Sequence, residues 1–460
     1  MATTNAETLV STSLQETAQF PQELIDLFVE HVCCDLEAHK ARSTLETLSR
    51  VSHSFSALSR KHLLSSILIS EQPEVSALSG QERPAVEEAF RLRLLSLRAL
   101  IESGSDFKSL IRKVHIQVLL LDDSSGLHWV IDSLRSNAKN LESLWITGNK
   151  VPLTCWPTNT QSTFRTLSNL VSSVKFRCLR LSHLRDIPIN LLAKCPSLRS
   201  LHLALSTFRR RDNPIPLNLR SLPSKRIQLE EIEVHGSVSD FVVQLPQLGI
   251  GLSSLQRFHV LVLHNWDVTA AKSLIEEMKH SLVSLEVILH MKESRGPGGG
   301  VAHSFPTFDG DPIDIGRCPR LVNFKLRIST GAYNSSSFLS DAFSILDSLT
   351  HPTQLQTIEI AFESSAQARK GFHVLDHDDP AWTVLAPSHL REKHPLLESV
   401  HVNLKVELSW YAPPPWLTGT LKQILVSVLI DKFGSAFSPV ILHSQTTLFL
   451  EKHQPVTLGK

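Results

Sequence analysis

Residues 141–149 read LESLWITGN and place large apolar side chains at Leu141, Leu144 and Ile146. Leu144 and Ile146 stand two positions apart, which is the spacing of neighbouring side chains on one face of a β-strand. The same pattern, an apolar residue followed by others three and five positions later, recurs along the chain. Its occurrences are 111/114/116, 141/144/146, 171/174/176, 198/201/203, 229/232/234, 255/258/260, 282/285/287, 321/324/326, 355/358/360 and 397/400/402, with a further candidate at 421/424/426. We therefore predict a series of short strands, each with a buried face.

Two further features indicate that these motifs are repeats. Pro196, Pro319 and Pro395 each stand two positions before the first apolar residue of a motif. Most motifs recur at intervals of about 26 to 34 residues, which is a length typical of repeat proteins. Sequence typical of helices precedes several motifs, and the helices that we predict there are 127–138, 267–279 and 336–349. The chain is thus predicted to alternate helix and strand.

This alternation resembles the leucine-rich repeat, whose strand carries Leu-x-x-Leu-x-Leu and often an asparagine three positions later. Among the motifs found here, only the one followed by Asn149 has that asparagine, so the repeats are degenerate. The resemblance implies an α/β fold: an irregular solenoid of helix–strand repeats with a parallel sheet. Loop insertions are expected where the period lengthens, near residues 205–226, 292–316 and 364–380.

The N-terminal segment 20–64 has a different pattern, typical of two or three short helices. Pro21 occupies a first helical position, and Leu24, Ile25 and Phe28 fall on one helical stripe. Fewer than about 50 residues bury too little surface for comfortable stability alone, so we expect this module to need a partner. The predicted boundaries are 1–19 for a disordered tail, 20–64 for the helical module, 65–84 for a linker and 85–460 for the solenoid.

Residues 20–28 and 48–55 resemble an F-box, with its Pro-x-Glu-Leu-Ile opening and Leu-Val-Ser-x-Ser-Phe middle. In that family three helices bind the Skp-type adaptor of a cullin-RING ubiquitin ligase, and the rest of the chain selects the protein to be ubiquitinated. The resemblance implies adaptor contacts or helix packing at Pro21, Leu24, Ile25, Phe28, Val51 and Phe55. Arg50 stands where the family usually has an apolar residue, so its guanidinium must reach solvent or a carboxylate. The alternative is an ordinary helical hairpin packed on the larger domain.

The composition argues against several partners. Lys and Arg number 46 against 45 Asp and Glu, and a net charge of +1 gives no long-range attraction to nucleic acid or anionic lipid. The six cysteines contain no C-x-x-C pair, and no apolar run approaches the roughly 18 residues of a membrane span. We expect neither a nucleic acid nor a membrane as partner. The expected location is the cytoplasm, the nucleus or both.

No stretch carries a strong catalytic or metal-binding motif. The glycine-rich segment 296–300 lacks the Lys-Ser/Thr of a phosphate loop, and the His and Asp residues of 373–379 are of types that are mostly solvated in loops. His389 and His394 are one residue too far apart for a zinc-binding H-x-x-E-H helix. The basic segment 209–226 is better explained as a solvated loop than as a nucleic-acid site. We therefore predict no enzymatic activity, no cofactor and no metal. The third hypothesis is an enzyme whose catalytic residues meet in a pocket only after folding, because residue spacing along the chain does not reveal such a pocket.

Strand alternation predicts which side chains face away from the core. In a leucine-rich repeat, the residues on either side of the buried strand positions form the concave surface. The predicted target-binding row comprises His115, Trp145, Lys175, Arg177, His202, Glu231, Glu233, His235, Arg257, His259, Glu286, Lys325, Arg327, Glu359 and His401. Polar residues on any wetted sheet face are the alternative explanation for this row.

Together these features predict a noncatalytic substrate-recognition subunit of an SCF-type ubiquitin ligase. Its F-box would bind a Skp-type adaptor, and through it a cullin, while the repeats bind a target protein that the sequence does not identify. The alternative is a leucine-rich-repeat scaffold that mediates protein–protein interaction without assembling a ligase.

Overall fold

The computed structural model describes most of the chain between residues 22 and 409, and one further strand. The described residues are 22–35, 38–70, 83–103, 107–117, 126–148, 154–156, 162–173, 176–208 except 189, 194 and 196, 227–290 except 237 and 249, 292–295, 301–304, 313–330, 344–346, 354–367, 390–409 except 391 and 393, and 446–450. Several predictions fall outside these residues. They are the tail 1–19, the motif 421/424/426, the predicted helix 336–349 except residues 344–346, and the segments 209–226, 296–300 and 373–379.

A long parallel sheet of twelve strands forms the centre of the described structure, and the order of strands in the sheet follows the order in the chain. The strands are β1 Ser66–Ser70, β2 Lys113–Gln117, β3 Ser143–Thr147, β4 Cys178–Ser182, β5 Ser200–Ala204, β6 Glu231–His235, β7 Arg257–Val262, β8 Ser284–His290, β9 Asn323–Thr330, β10 Thr357–Gln367, β11 Ser399–Ser409 and β12 Thr446–Leu450. All neighbouring strands pair in parallel. The predicted α/β solenoid with a parallel sheet is confirmed.

Helices connect many of the strands. They are α1 Gln22–Asp35, α2 Ala38–Leu48, α3 His53–Ser65, α4 Arg83–Glu102, α5 Phe107–Leu110, α6 Leu127–Asn137, α7 Ser162–Ser173, α8 Asn190–Ala193, α9 Val238–Leu248 and α10 Asn265–Met278. Shorter elements are the 3-10 helix Ile315–Arg317, the parallel pairs Thr154–Cys155 with Leu184–Arg185 and Ile227–Gln228 with Ile250–Gly251, and the antiparallel pair Lys292–Arg295 with Val301–Ser304.

The helices pack on one face of the sheet. Leu144 and Ile146 of β3 are fully buried in the same apolar core as Val130, Ile131 and Leu134 of α6. Burying a side chain of this size contributes roughly 1.5–3 kcal/mol, so a row of such residues across the sheet stabilises the solenoid along its length. The intervening strand residues consequently lie on the opposite face, which we call the open face.

The shared proline lead-in has a structural explanation. Pro319 follows Cys318, whose carbonyl accepts a hydrogen bond from the backbone N–H of Leu321 at 3.0 Å. Pro395 occupies the same position in the equivalent turn of a later repeat. Proline fits the second position of such a turn because its φ is already fixed near the required value. The turn therefore sets the point at which the first apolar residue of each repeat enters the core.

A second type of turn directly follows the C-terminal end of several strands. His183 and Leu205 have positive φ values of 56° and 47°, and Gly236 has φ 78° at the equivalent place. Gly148 follows β3 at this position too, and a Cβ atom added there would lie 2.4 Å from the carbonyl oxygen of His183. Consecutive repeats thus approach one another closely here, and only glycine fits at position 148.

One predicted strand was wrong. The motif 171/174/176 was expected to form a strand, but Val171 lies in helix α7, and the strand of this repeat is β4. The buried positions are Phe176, Leu179 and Leu181, which show the same spacing five residues later. The apolar end of the amphipathic helix α7 matched the strand pattern by coincidence, and Val171 is buried there as part of the helix.

The sheet also begins earlier than the sequence indicated. Residues 66–70 were included in the predicted linker 65–84, but they form β1 and pair with β2. Ile67 and Ile69 of this strand are buried in the main core. Leu64, Ile67 and Ile69 show the repeat spacing here as well, but this match lies where the predicted helical module 20–64 meets the predicted linker, and it was not counted as a repeat.

Candidate functional site

The open face of the sheet is a continuous surface ordered by strand register. Each of the strands β1 to β11 contributes a central outward residue that lies beside its equivalent on the next strand. The central row runs Leu68, His115, Trp145, Arg180, His202, Glu233, His259, Glu286, Lys325, Glu359 and His401. It is mostly polar and charged, and it contains an aromatic cluster near its N-terminal end.

That aromatic cluster is centred on Trp145, whose exposed fraction is 36%. The imidazole of His115 stacks on the indole, and the guanidinium carbon of Arg180 lies 5.7 Å from the indole centroid on the next strand. The indole N–H donates to the hydroxyl of Ser182 at 3.3 Å, and the His115 ring contacts the hydroxyl of Thr147 at 3.0 Å. Burial lowers the pKa of His115, which favours its neutral form. The cluster is therefore a fixed aromatic surface with a cation beside it.

The later strands carry pairs of opposite charge. Glu286 contacts His259 at 2.7 Å and Arg327 at 3.5 Å, and Lys325 contacts Glu359 at 2.9 Å. Burial opposes the charge of Glu286, but the hydrogen bond with His259 and the charge of Lys325 outweigh it and lower the pKa of this carboxyl. The negative charges of these carboxylates are thus largely balanced by basic side chains on the same face.

An imidazole and a carboxylate are in contact at the centre of the face. The His202 ring contacts Glu233 through Nδ1 and the Ser200 hydroxyl through Nε2 at 2.7 Å, while Glu233 also lies 3.1 Å from His235. Cys178 lies beside Ser200 in the register of β4 and β5. The hydrogen bond with His202 lowers the pKa of Glu233 to about 2, although burial opposes the shift. The carboxylate is consequently ionised at any ordinary pH.

The structure places most of the predicted row on this face. The residues found there are His115, Trp145, His202, Glu231, Glu233, His235, Arg257, His259, Glu286, Lys325, Arg327, Glu359 and His401. Their role in binding a target remains a prediction. Lys175 lies outside the described residues, so its assignment stays a prediction. Arg177 precedes β4 rather than belonging to it, so its predicted place in the strand was wrong.

The misplaced motif caused the prediction to miss the outward residues of β4. Cys178, Arg180 and Ser182 occupy the three outward positions of that strand. The signal was present in the sequence, because Phe176, Leu179 and Leu181 show the repeat spacing and the residues between them alternate with the apolar ones. The matches 171/174/176 and 176/179/181 overlap at Phe176, and only the second one corresponds to the strand.

The N-terminal helices present a second candidate surface. Helices α1 to α3 share a small core of their own, formed by Val29, Val32, Ala41 and Leu45 and separate from the main core. Outside that core, α1 exposes a stripe of large apolar side chains, which we call the α1 stripe and which consists of Leu24, Leu27 and Phe28. These residues are three and four positions apart, so they lie on one side of the helix.

The predicted adaptor residues divide between this surface and the interior. Leu24, Phe28 and Val51 are exposed, while Phe55 is half-buried with its ring 6.2 Å from that of Phe28 in an edge-to-face arrangement. Ile25, by contrast, is only 5% exposed, so its place is in helix packing and not in a contact surface. Pro21 lies outside the described residues.

Arg50, the departure from the F-box pattern, is exposed at the end of α2. Its guanidinium therefore reaches solvent, as the sequence required. Within the parts of the chain that the structure describes, no helix is long and apolar enough to cross a membrane. The same residues contain no group of three or more His, Cys, Asp or Glu side chains placed to hold a metal ion.

Comparison with known proteins gives little help. No protein-family model and no curated protein matches the chain. Among solved structures, the chain is similar to one chain of the "Crystal structure of Rad7 and Elc1 complex in yeast", with 13% identical residues and a TM-score of 0.35. The match covers 86% of this chain and 91% of the other.

Proposed function

We propose that this protein is the noncatalytic substrate receptor of an SCF-type ubiquitin ligase. Its N-terminal helices bind a Skp-type adaptor, which joins it to a cullin, and the open face of the solenoid binds the protein to be ubiquitinated. The observation that carries the proposal is the α1 stripe on a helical module that has its own core. The resemblance of residues 20–28 and 48–55 to an F-box identifies the partner class.

The exposure of the α1 stripe is explained if a partner protein covers it. Leu27 has an exposed fraction of 62%, and Leu24 and Phe28 are about half exposed beside it. Burying apolar surface contributes roughly 25 cal/mol per Å², so a partner that covered three such side chains would gain several kcal/mol. Grouped exposed apolar residues commonly mark a protein-binding surface.

The open face supports the second half of the proposal. Its strands β2 to β5 carry Lys113 and Arg180 but no Asp or Glu among their outward residues. Trp145 lies between these cations and supplies a rigid aromatic contact of the kind enriched at interaction hot spots. We infer that the target presents an acidic segment with an apolar side chain to this part of the face.

Reconstitution tests the whole proposal. The full chain is co-expressed with a Skp-type adaptor, a cullin and a RING protein, and proteins that co-purify with it are tested for ubiquitin transfer. Receptor function predicts an adaptor-dependent transfer to a captured protein that is lost with Leu27→Asp and retained with Glu23→Gln, an exposed control position on the same helix. Capture of the same proteins by a folded chain that binds no adaptor would instead establish the scaffold alternative.

A further inference from the structure

We propose that the target segment lies extended across the strands of the open face and places a second apolar side chain on a patch formed by Leu261 and Ile288. The segment carries one apolar residue for Trp145, an acidic residue for Arg180, and a further apolar residue about six or seven positions from the first. The inference rests on the proposed function, because it specifies the chemistry and length of the segment that the open face binds. The predicted target-binding row included neither Leu261 nor Ile288.

Leu261 and Ile288 are large apolar residues at outward positions of neighbouring strands. They are direct partners in the register of β7 and β8, and both are half-buried. The Cβ atoms of such partners lie about 4.5–5.5 Å apart, so the two side chains form one continuous apolar patch. At the same level, strands β2 to β4 carry the polar residues Gln117, Thr147 and Ser182. The apolar pair is therefore a local feature of β7 and β8 and not a general property of the face.

Basic side chains flank the patch on both sides. His235 on β6 and Arg327 on β9 lie directly beside it in the register. Both have partners on the face, since His235 contacts Glu233 at 3.1 Å and Arg327 contacts Glu286 at 3.5 Å. Burial lowers the pKa of His235, which favours its neutral form. The charges around the patch are thus already balanced, and the patch itself suits an apolar side chain of the partner.

Small side chains connect the patch with Trp145. At the level of the patch, β4 carries Ser182 and β5 carries Ala204. The Ser182 hydroxyl accepts a hydrogen bond from the Trp145 indole N–H at 3.3 Å. The central row beside this level carries the larger side chains of Arg180 and His202. The surface is therefore lower over Ser182 and Ala204 than over the central row, which leaves a track for an extended backbone.

The charges of the open face indicate the polar part of the segment. The outward carboxylates of β6 to β9 belong to Glu231, Glu233 and Glu286, and each of them contacts an arginine or a histidine of the face. Arg180, by contrast, forms no ion pair with any carboxylate among the described residues, and its guanidinium carbon lies 5.7 Å from the Trp145 indole centroid. An acidic residue of the segment, next to the apolar residue on Trp145, would compensate this cation.

Strand geometry sets the distance between the two apolar contacts. Trp145 lies on β3, and the patch lies on the fourth and fifth strands after it. At about 4.8 Å per strand the separation is roughly 22 Å, and an extended chain covers about 3.3–3.6 Å per residue. About six or seven residues of extended chain therefore span it. A helical segment rises only about 1.5 Å per residue and would need roughly fifteen residues, so the spacing distinguishes the two conformations.

The test selects ligands for the full-length chain from a phage-displayed library of random 16-residue peptides. The selected peptides are synthesised, and fluorescence anisotropy measures their affinities for the wild type and for Trp145→Ala, Ile288→Ser and Val243→Ser. Peptides that lose about tenfold in affinity with Trp145→Ala should lose about tenfold with Ile288→Ser as well. Val243→Ser should change affinity by less than about twofold, because Val243 is 73% exposed but lies on helix α9, away from the open face. Circular dichroism verifies that each variant folds.

A second comparison changes the peptide and not the protein, so it does not depend on the folding of a variant. Removing three residues between the two apolar positions of a selected peptide should weaken its binding to the wild type about tenfold, because both contacts can no longer form together. Peptides that depend on Trp145 but ignore Ile288→Ser, or that tolerate the shorter spacing, would overturn the inference. A selection without any Trp145-dependent peptide would overturn it too. Neither measurement involves the adaptor or ubiquitin transfer, so failure here is distinguishable from failure of the receptor proposal.

Discussion

The indole of Trp145 lies flat against the imidazole of His115, with ring centroids 4.0 Å apart and planes within 9° of parallel. The two residues are directly opposite on adjacent strands, so the stacking follows from the strand register. A surface of this kind exists before any partner arrives. A partner that binds it therefore avoids most of the entropy cost of ordering these side chains.

Truncation of this aromatic surface should weaken target binding. Trp145→Ala is expected to cost on the order of 2 kcal/mol, or about 30-fold in affinity, because a central tryptophan commonly dominates an interface. The measurement is quantitative recovery of the proteins that co-purify with the wild-type chain. Trp266→Ala is the matched control, since Trp266 is 59% exposed but lies on helix α10. Equal loss with both variants would contradict a binding role for the open face.

The buried positions of the β4 repeat, Phe176, Leu179 and Leu181, lead to a prediction about stability. Leu181→Ala removes a fully buried side chain and should lower the free energy of unfolding by about 2–5 kcal/mol. Arg177→Ala alters an exposed side chain and should change it by no more than about 0.5 kcal/mol. Urea denaturation of the full chain measures both. A harmless Leu181→Ala would show that the frame is wrong.

The interaction between Glu233 and His202 should appear in the pH dependence of stability. The pKa of Glu233 is lowered to about 2, whereas an unfolded glutamate titrates near about 4.3. Its contribution to the free energy of unfolding is therefore fully present above about pH 5 and is lost as the pH falls toward 2. The difference in melting temperature between the wild type and Glu233→Gln should narrow over this interval.

Glu142→Gln is the control for that measurement. Glu142 pairs with Arg112 at 2.7 Å on the surface, and exposed pairs of this kind contribute little. Its effect on the melting temperature should be small at every pH. A difference between the wild type and Glu233→Gln that stayed constant from pH 6 to pH 2 would contradict the lowered pKa.

The repeat pattern predicted much of this fold because the alternation of buried and outward residues along a strand is local in sequence. The motif at 141/144/146 became β3, with all three apolar residues buried as expected. The failure at 171/174/176 arose where the apolar end of an amphipathic helix matched a strand pattern by coincidence, and a single sequence does not distinguish the two frames. β1 was missed because its match, Leu64, Ile67 and Ile69, overlaps the end of the predicted helical module 20–64.

Residues of the candidate site were predictable only in strands whose buried positions had been assigned correctly. His115, Trp145 and His202 followed from alternation, since outward positions in a strand are fixed once the inward ones are known. The contact between His202 and Glu233 was not accessible, because these residues lie on different strands and come together through the pairing of β5 with β6. Likewise, helical spacing placed Leu24, Ile25 and Phe28 on one stripe but could not show that Ile25 faces inward.

The different positions of Ile25 and Leu27 allow stability and adaptor binding to be separated. Ile25→Ala removes a buried side chain and should destabilise the chain by about 2–5 kcal/mol. Leu27→Ala should leave stability within about 0.5 kcal/mol, because the side chain is exposed, yet weaken adaptor binding. Thermal melting and adaptor pull-down on both variants give the comparison. If Leu27→Ala destabilised the chain as much as Ile25→Ala, the α1 stripe would be part of the core and not a binding surface.

The most direct test of the receptor proposal is the affinity of the full chain for a purified Skp-type adaptor, measured by isothermal titration calorimetry. The account predicts a one-to-one complex, with a negative heat-capacity change from apolar burial. It also predicts that Leu24→Asp with Leu27→Asp abolishes binding while Glu23→Gln does not. A folded wild-type chain that gives no detectable heat or complex with the adaptor would contradict the central claim.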